Sequence, residues 1–170
     1  MAFILVGEKQ LEKNPDWADR IGEAISKAYA GKEVRPSLQV REKIGSGASY
    51  FVHTGEQGKV NGYILARLPD SKNGFVEAIE LAIVPEARSA AEFLKVTRRF
   101  EGFVKRAGFA GAELRYVNPR IARVYERKAK RPTKNGNGRI EVEREAFLGN
   151  MGAKKVRLTF PKPTQRKRMP

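Results

Sequence analysis

With 170 residues, 41% of them hydrophobic, the chain is long enough to bury the core of one domain carrying a short appendage. It has no cysteine and a single histidine, His53, which excludes disulfides, thiolate catalysis and clusters of cysteine or histidine around a metal. Its formal net charge of +15 is uneven: residues 1–94 carry −1, residues 95–134 carry +10 and residues 135–170 carry +6, so the basic half predicts an anionic partner (nucleic acid, an acidic protein surface or a phosphorylated cofactor) unless it is only a solvated face.

The opening Ala2-Phe3-Ile4-Leu5-Val6 is too short for a signal peptide, lacks its basic flank, and reads as a strand. Asn14 is placed to cap a helix with Pro15 at its first position, and Trp17, Ile21, Ala24, Ile25 and Ala28 then recur at helical spacing up to a stop at Gly31. Residues 32–48 fit either a short second helix or an irregular arm. From Ser49 the pattern changes to strands. Tyr50 to Thr54, Val60 to Leu68 and Phe75 to Val84 are separated by turns at residues 55–58 and 69–74, which predicts an antiparallel meander. His53, alone on its strand, reads as structural, because a histidine needs partners to act as base or ligand.

A long helix follows, with Phe93, Val96, Phe100, Phe103, Val104 and Ala107 on one stripe, Lys95, Arg98, Arg99, Lys105 and Arg106 mostly off it, and Gly108 at its end. Then come a strand over residues 112–117, a helix over 119–130, a flexible loop over 131–139, and two last strands over 140–148 and 154–160. No apolar run approaches the ~20 residues of a membrane-spanning helix. The expected organisation is a domain over residues 1–160 and a basic, proline-rich arm over 161–170, extended because Pro161 and Pro163 forbid regular pairing.

This α+β order, with a mixed and mostly antiparallel central sheet flanked by helices, resembles the GNAT superfamily of N-acetyltransferases. The motif residues strengthen the resemblance. The run Leu81-Ala82-Ile83-Val84-Pro85-Glu86-Ala87-Arg88 is similar to the strand and turn of the family's acyl-CoA motif, in which amides at a helix start cradle a pyrophosphate. It implies cofactor contacts from Ile83, Val84, Arg88, Ser89, Ala90 and Ala91. Downstream, Asn118, Ala122 and Tyr125-Glu126-Arg127 resemble the family's Asn-to-Tyr segment, which implies that Asn118 holds the pantetheine arm and Tyr125 protonates the departing thiolate. Asn118 also reads as a helix cap, and Tyr125 as an aromatic packing its helix. The base that deprotonates an acceptor amine is commonly a carboxylate on the central strand, and Glu77 and Glu80 are the candidates. Three apart on a regular strand, they are expected on opposite faces.

The chain departs from the family where Ala91 and Phe93 replace small cradle residues, where Glu92 adds a negative charge, and where Ala129-Lys130 replaces a Gly-Phe pair. The first expectation is therefore a protein without a cofactor and without catalysis, a structural subunit of a larger assembly. Its size and degenerate cradle are similar to those of GNAT-like virion proteins of tailed phages, which implies a place in a virion or the host cytoplasm. Other protein subunits, and nucleic acid, would be held through Arg127, Lys128, Lys130, Arg131, Arg166, Lys167 and Arg168. The alternatives are an acetyl-CoA-dependent N-acetyltransferase and a nucleic-acid-binding module. No metal site and no membrane span are expected.

Overall fold

Apolar runs rich in β-branched and aromatic residues, broken by glycine-containing turns, fold into the meander that their spacing predicts. The computed structural model describes residues 2–31, 35–71, 73–117, 123, 125–127, 129, 139–144 and 154–160. Strands β1 (Ala2–Val6), β2 (Ala48–Thr54), β3 (Val60–Arg67), β4 (Phe75–Ile83), β5 (Gly111–Val117), β6 (Arg139–Arg144) and β7 (Lys154–Thr159) form a mixed, mostly antiparallel sheet in the order β1-β2-β3-β4-β5-β7-β6. The described helices are α1 (Glu8–Lys13), α2 (Asp16–Ala28), α3 (Pro36–Gly45) and α4 (Ala90–Arg106). The chain divides into two compact units, one drawn from residues 1–68 and 77–102, the other from 69–76 and 103–170.

In the first unit, β1 to β4 pair antiparallel, and their alternation sorts side chains onto two faces. One face carries Val6, Ala48, Tyr50, Val52, Tyr63 and Leu65, and it is closed by Trp17, Ala18, Ile21, Ala24 and Ile25 of α2 with Val40 and Ile44 of α3. The other carries Phe3, Phe51 and His53. There Phe3 stacks on Phe51 at 5.6 Å, and Phe100 of α4 meets Phe51 edge-on at 5.6 Å. The irregular-arm alternative for residues 32–48 gives way to α3, which Pro36 opens at a first-turn position needing no donor. Helix α2 starts at Asp16, one residue later than expected; Asn14 Oδ1 accepts the Asp16 N–H at 3.3 Å. The short α1 was not legible in the sequence, since it buries no residue and so carries no stripe.

One irregularity in this unit places the chemistry. Opposite β3, Glu80 pairs with Leu65 while Ala78 pairs with the next residue, Ala66, so Ile79 is an extra residue in β4. This bulge breaks strict alternation. Glu77, opposite Arg67, and Glu80, opposite Leu65, consequently lie on the same face. The expectation that they face opposite ways is corrected: parity counting fails across one inserted residue.

In the second unit, β7 pairs antiparallel with both β5 and β6. Buried Ala112 and Leu114 of β5 accompany Val156 and Leu158 of β7. Glu113 accepts from Arg157 at 2.8 Å, and Lys155 approaches it at 3.7 Å. Helix α4 ends as expected at Gly108, whose φ of 81° suits glycine, while the Phe109 N–H reaches back to the Val104 carbonyl at 3.2 Å. The helix expected over 119–130 is helical at residues 123, 125–127 and 129. The remainder of that helix, the loop over 131–138, strand positions beyond residue 144 of β6, and the arm over 161–170 lie outside the described residues.

Candidate active site

Strand β4 carries a carboxylate on its bulge. Glu80 is half-buried and accepts hydrogen bonds from the phenols of Tyr63 and of Tyr29, the latter at 2.9 Å. Tyr50 meets Tyr63 edge-on at 5.5 Å. Burial first, and then the Glu80 charge, push the Tyr63 and Tyr50 phenols well above the ordinary tyrosine range, so both stay protonated. Glu80 thus accepts from two phenols on the edge of a buried aromatic layer, and Tyr29 is 38% exposed. Glu77 is arranged differently, paired at the surface with Arg67 at 3.2 Å. Of the two candidate bases, Glu80 has the setting of a proton acceptor.

Beyond Ile83 the strand enters a 3-10 turn (Pro85–Ala87) and then α4. Residues 88–91 are exposed. Ser89 caps the helix, its Oγ accepting the Glu92 N–H at 3.0 Å. The amides of Ala90 and Ala91 stand in the first turn, where a helix supplies no acceptor. The implied contact through Val84 is not available through its amide, which donates to the Asn61 carbonyl at 2.9 Å. Ile83 and Val84 are buried, and Arg88 folds back to the Ile83 carbonyl at 3.4 Å. The open part of the turn is therefore residues 89–91.

Glu92, in the first turn of α4, reaches to the strand beneath. Its carboxylate contacts Nδ1 of His53 and lies 3.7 Å from Lys95 Nζ. His53 is fully buried and stacked on Phe3 at 4.4 Å. Burial lowers its pKa below the ordinary 6.5, against the opposing pull of Glu92, with Lys95 and the amino terminus adding to the lowering. A histidine kept neutral in the folded state protonates first in the unfolded one. Stability is therefore complete above pH 6.5 and expected to decline as pH falls below it. Urea unfolding between pH 7.5 and pH 5 checks this, and His53→Asn should flatten the decline; an equal slope in both proteins would place the sensitivity elsewhere.

The other expected site residues fall in the second unit. Tyr125 is helical and buried, at 1% exposure, and Arg127 is exposed on the same segment. Asn118, Lys128, Lys130, Arg131, Arg166, Lys167 and Arg168 lie outside the described residues. Among the described residues, no three His, Cys, Asp or Glu side chains gather as a metal site, and no helix is long and apolar enough to cross a membrane. Sequence reasoning missed the tyrosines around Glu80 and the His53–Glu92 contact. The first join distant segments and leave no local signal. So does the second, whose partners stand on β2 and α4.

No family model matches the sequence, and no curated protein is similar to it in sequence. Solved structures are similar in fold. A Corynebacterium glutamicum structure described as histone acetyltransferase HPA2 and related acetyltransferase superposes with a TM-score of 0.64 at 14% identity, covering 96% of this chain and 99% of that one. Tetrahymena GCN5 gives 0.61 at 10% identity, with 94% and 96% covered. An aminoglycoside 6'-N-acetyltransferase complexed with coenzyme A gives 0.56 at 14% identity, with 94% and 99% covered. The bulged β4 strand, the turn that follows it and the capped α4 helix thus belong to a chain with the GNAT acetyltransferase fold.

Proposed function

We propose that the chain is an acetyl-CoA-dependent N-acetyltransferase acting on an amine. The observation that carries this reading is Glu80, a carboxyl that accepts from two phenols on the strand leading into the exposed start of α4. The likeness in fold to acetyltransferases, one of them complexed with coenzyme A, favours it over the structural, virion-borne role expected first. The exposed, small side chains at 89–91 in the first turn of α4 fit the cofactor.

The amides of Ala90 and Ala91 would hold the pyrophosphate at the positive end of α4. Bound there, acetyl-CoA supplies a thioester whose carbonyl carbon an amine can attack. Glu80 accepts the proton that the amine nitrogen loses as its bond to the acetyl carbon forms and the carbon–sulfur bond breaks. Tyr29 and Tyr63 keep the Glu80 carboxylate in one orientation throughout. The sulfur leaves as a thiolate and takes up a proton, the role the resemblance implies for Tyr125.

Thiol release from acetyl-CoA in the presence of primary amines tests the reading. Turnover with at least one amine is expected, and Tyr125→Phe should lower kcat by about 10²-fold while coenzyme A binding holds. Full turnover in that variant would make Tyr125 a packing residue. If no amine gave thiol release and coenzyme A gave no calorimetric signal, the acetyltransferase reading would fall and a structural role would stand in its place.

A further inference from the structure

We propose that Tyr29 is a positioning residue for Glu80: with Tyr63 it fills one carboxyl oxygen, Oε1, and so leaves the other, Oε2, as the atom that takes the proton of the acceptor amine. The inference rests on the acetyltransferase reading and deepens it.

Two phenols converge on one atom. Glu80 Oε1 accepts from Tyr29 at 2.9 Å and also from Tyr63. A carboxyl oxygen has two lone pairs, and both of those on Oε1 are then in use. Oε2 accepts from no described residue and is not sealed from solvent. A proton added to Glu80 therefore goes to Oε2. The amine nitrogen loses that proton as it bonds to the acetyl carbon and the carbon–sulfur bond breaks, so the amine must approach on the Oε2 side, which the phenols leave open.

Stability gives no reason for this crowding. One phenol on each oxygen would satisfy the whole carboxyl, whereas two on Oε1 leave Oε2 without a protein donor. The phenols also differ in setting. Tyr63 is 1% exposed on β3 and meets Tyr50 edge-on. Tyr29 is exposed and stands just past α2, where its N–H donates to the Ile25 carbonyl at 3.0 Å. The next two residues turn the chain with left-handed backbone, Ala30 at a φ of 55° and Gly31 at 71°, and the Gly31 N–H closes on the Ser26 carbonyl at 2.7 Å. That conformation is unfavourable for Ala30, which carries a Cβ, and it ends the helix where Tyr29 reaches Glu80. Tyr29 is thus the member of the pair that can be altered without opening the buried layer.

The test is a double-mutant cycle on thiol release from acetyl-CoA, with ethanolamine, butylamine and lysine amide as acceptors. Wild type, Tyr29→Phe, Glu80→Gln and the double variant are compared, with melting temperatures measured alongside. Tyr29→Phe keeps the ring at an exposed position and is expected to fold. It should lower kcat about tenfold, with KM for the amine within about twofold of wild type, because the carboxyl turns and presents Oε2 less often. In the Glu80→Gln background the same change should cost less than about twofold, since the group that Tyr29 positions no longer takes a proton. The single variant decides the matter if the double variant is too slow to measure. A lowered melting temperature with kcat unchanged would make Tyr29 a structural residue and overturn the inference, as would a rise in KM alone. Equal losses in both backgrounds would overturn it too, since Tyr29 would then act on the amine itself. Each of these outcomes leaves wild-type turnover, and with it the acetyltransferase reading, intact. Absence of thiol release by the wild type with every amine would instead remove both.

Discussion

Gly111→Ala is expected to destabilise the second unit by about 3 kcal/mol or more. A Cβ at this position would lie 1.8 Å from the Leu158 carbonyl oxygen and 2.8 Å from the Phe75 ring. The oxygen belongs to the backbone of β7, which pairs with β5 through Gly111 opposite Thr159 and Ala112 opposite Leu158. It cannot turn aside as a side chain could, so relief requires β5 and β7 to separate and lose hydrogen bonds at the start of the ladder. Urea unfolding followed by circular dichroism measures the effect. A midpoint within about 0.5 kcal/mol of wild type would show that the two strands slide apart at little cost.

Glu80→Gln is expected to lower kcat by about 10²- to 10⁴-fold while leaving coenzyme A affinity unchanged. The amide keeps the size of the carboxylate and an oxygen that accepts from Tyr29 and Tyr63, but it takes no proton from an amine. Glu77→Gln is the control. Its partner Arg67 sits at the surface, and an exposed ion pair contributes little, so turnover should change by less than about threefold. A full rate in Glu80→Gln with a large loss in Glu77→Gln would exchange the two roles. Loss of coenzyme A affinity in Glu80→Gln would mean that the residue supports the cradle rather than the chemistry.

Much of the fold was legible because local patterns and the fold agree. The stripe from Phe93 to Ala107, the turns at residues 55–58 and 69–74, and the run from Leu81 to Arg88 each announce an element that the structure contains. What stayed hidden depends on contacts between segments far apart in sequence. Tyr29, Tyr63 and Glu80 come from α2's end, β3 and β4, and nothing local marks them as partners. His53 looked inert because its partner, Glu92, stands 39 positions away on another element. The bulge did leave a trace: two acids three apart on a half-buried strand contradict strict alternation, and an inserted residue is the ordinary resolution.

Ile79 has a consequence for how this strand can change over generations. Because it offsets the two ends of β4 by one position, which acid shares a side with Tyr63 depends on chain length within the strand as much as on residue identity. Loss of Ile79 would restore regular pairing and leave Glu80 opposite Leu65 and Glu77 opposite Arg67, whereas one further residue between the acids would carry one end's side chains through the sheet. A conservative point substitution at Glu80 is the milder lesion by comparison, since it leaves every neighbour where it was. Alignments of this strand with others therefore need a gap inside an element, the place where gaps are ordinarily forbidden, before the acids can be matched.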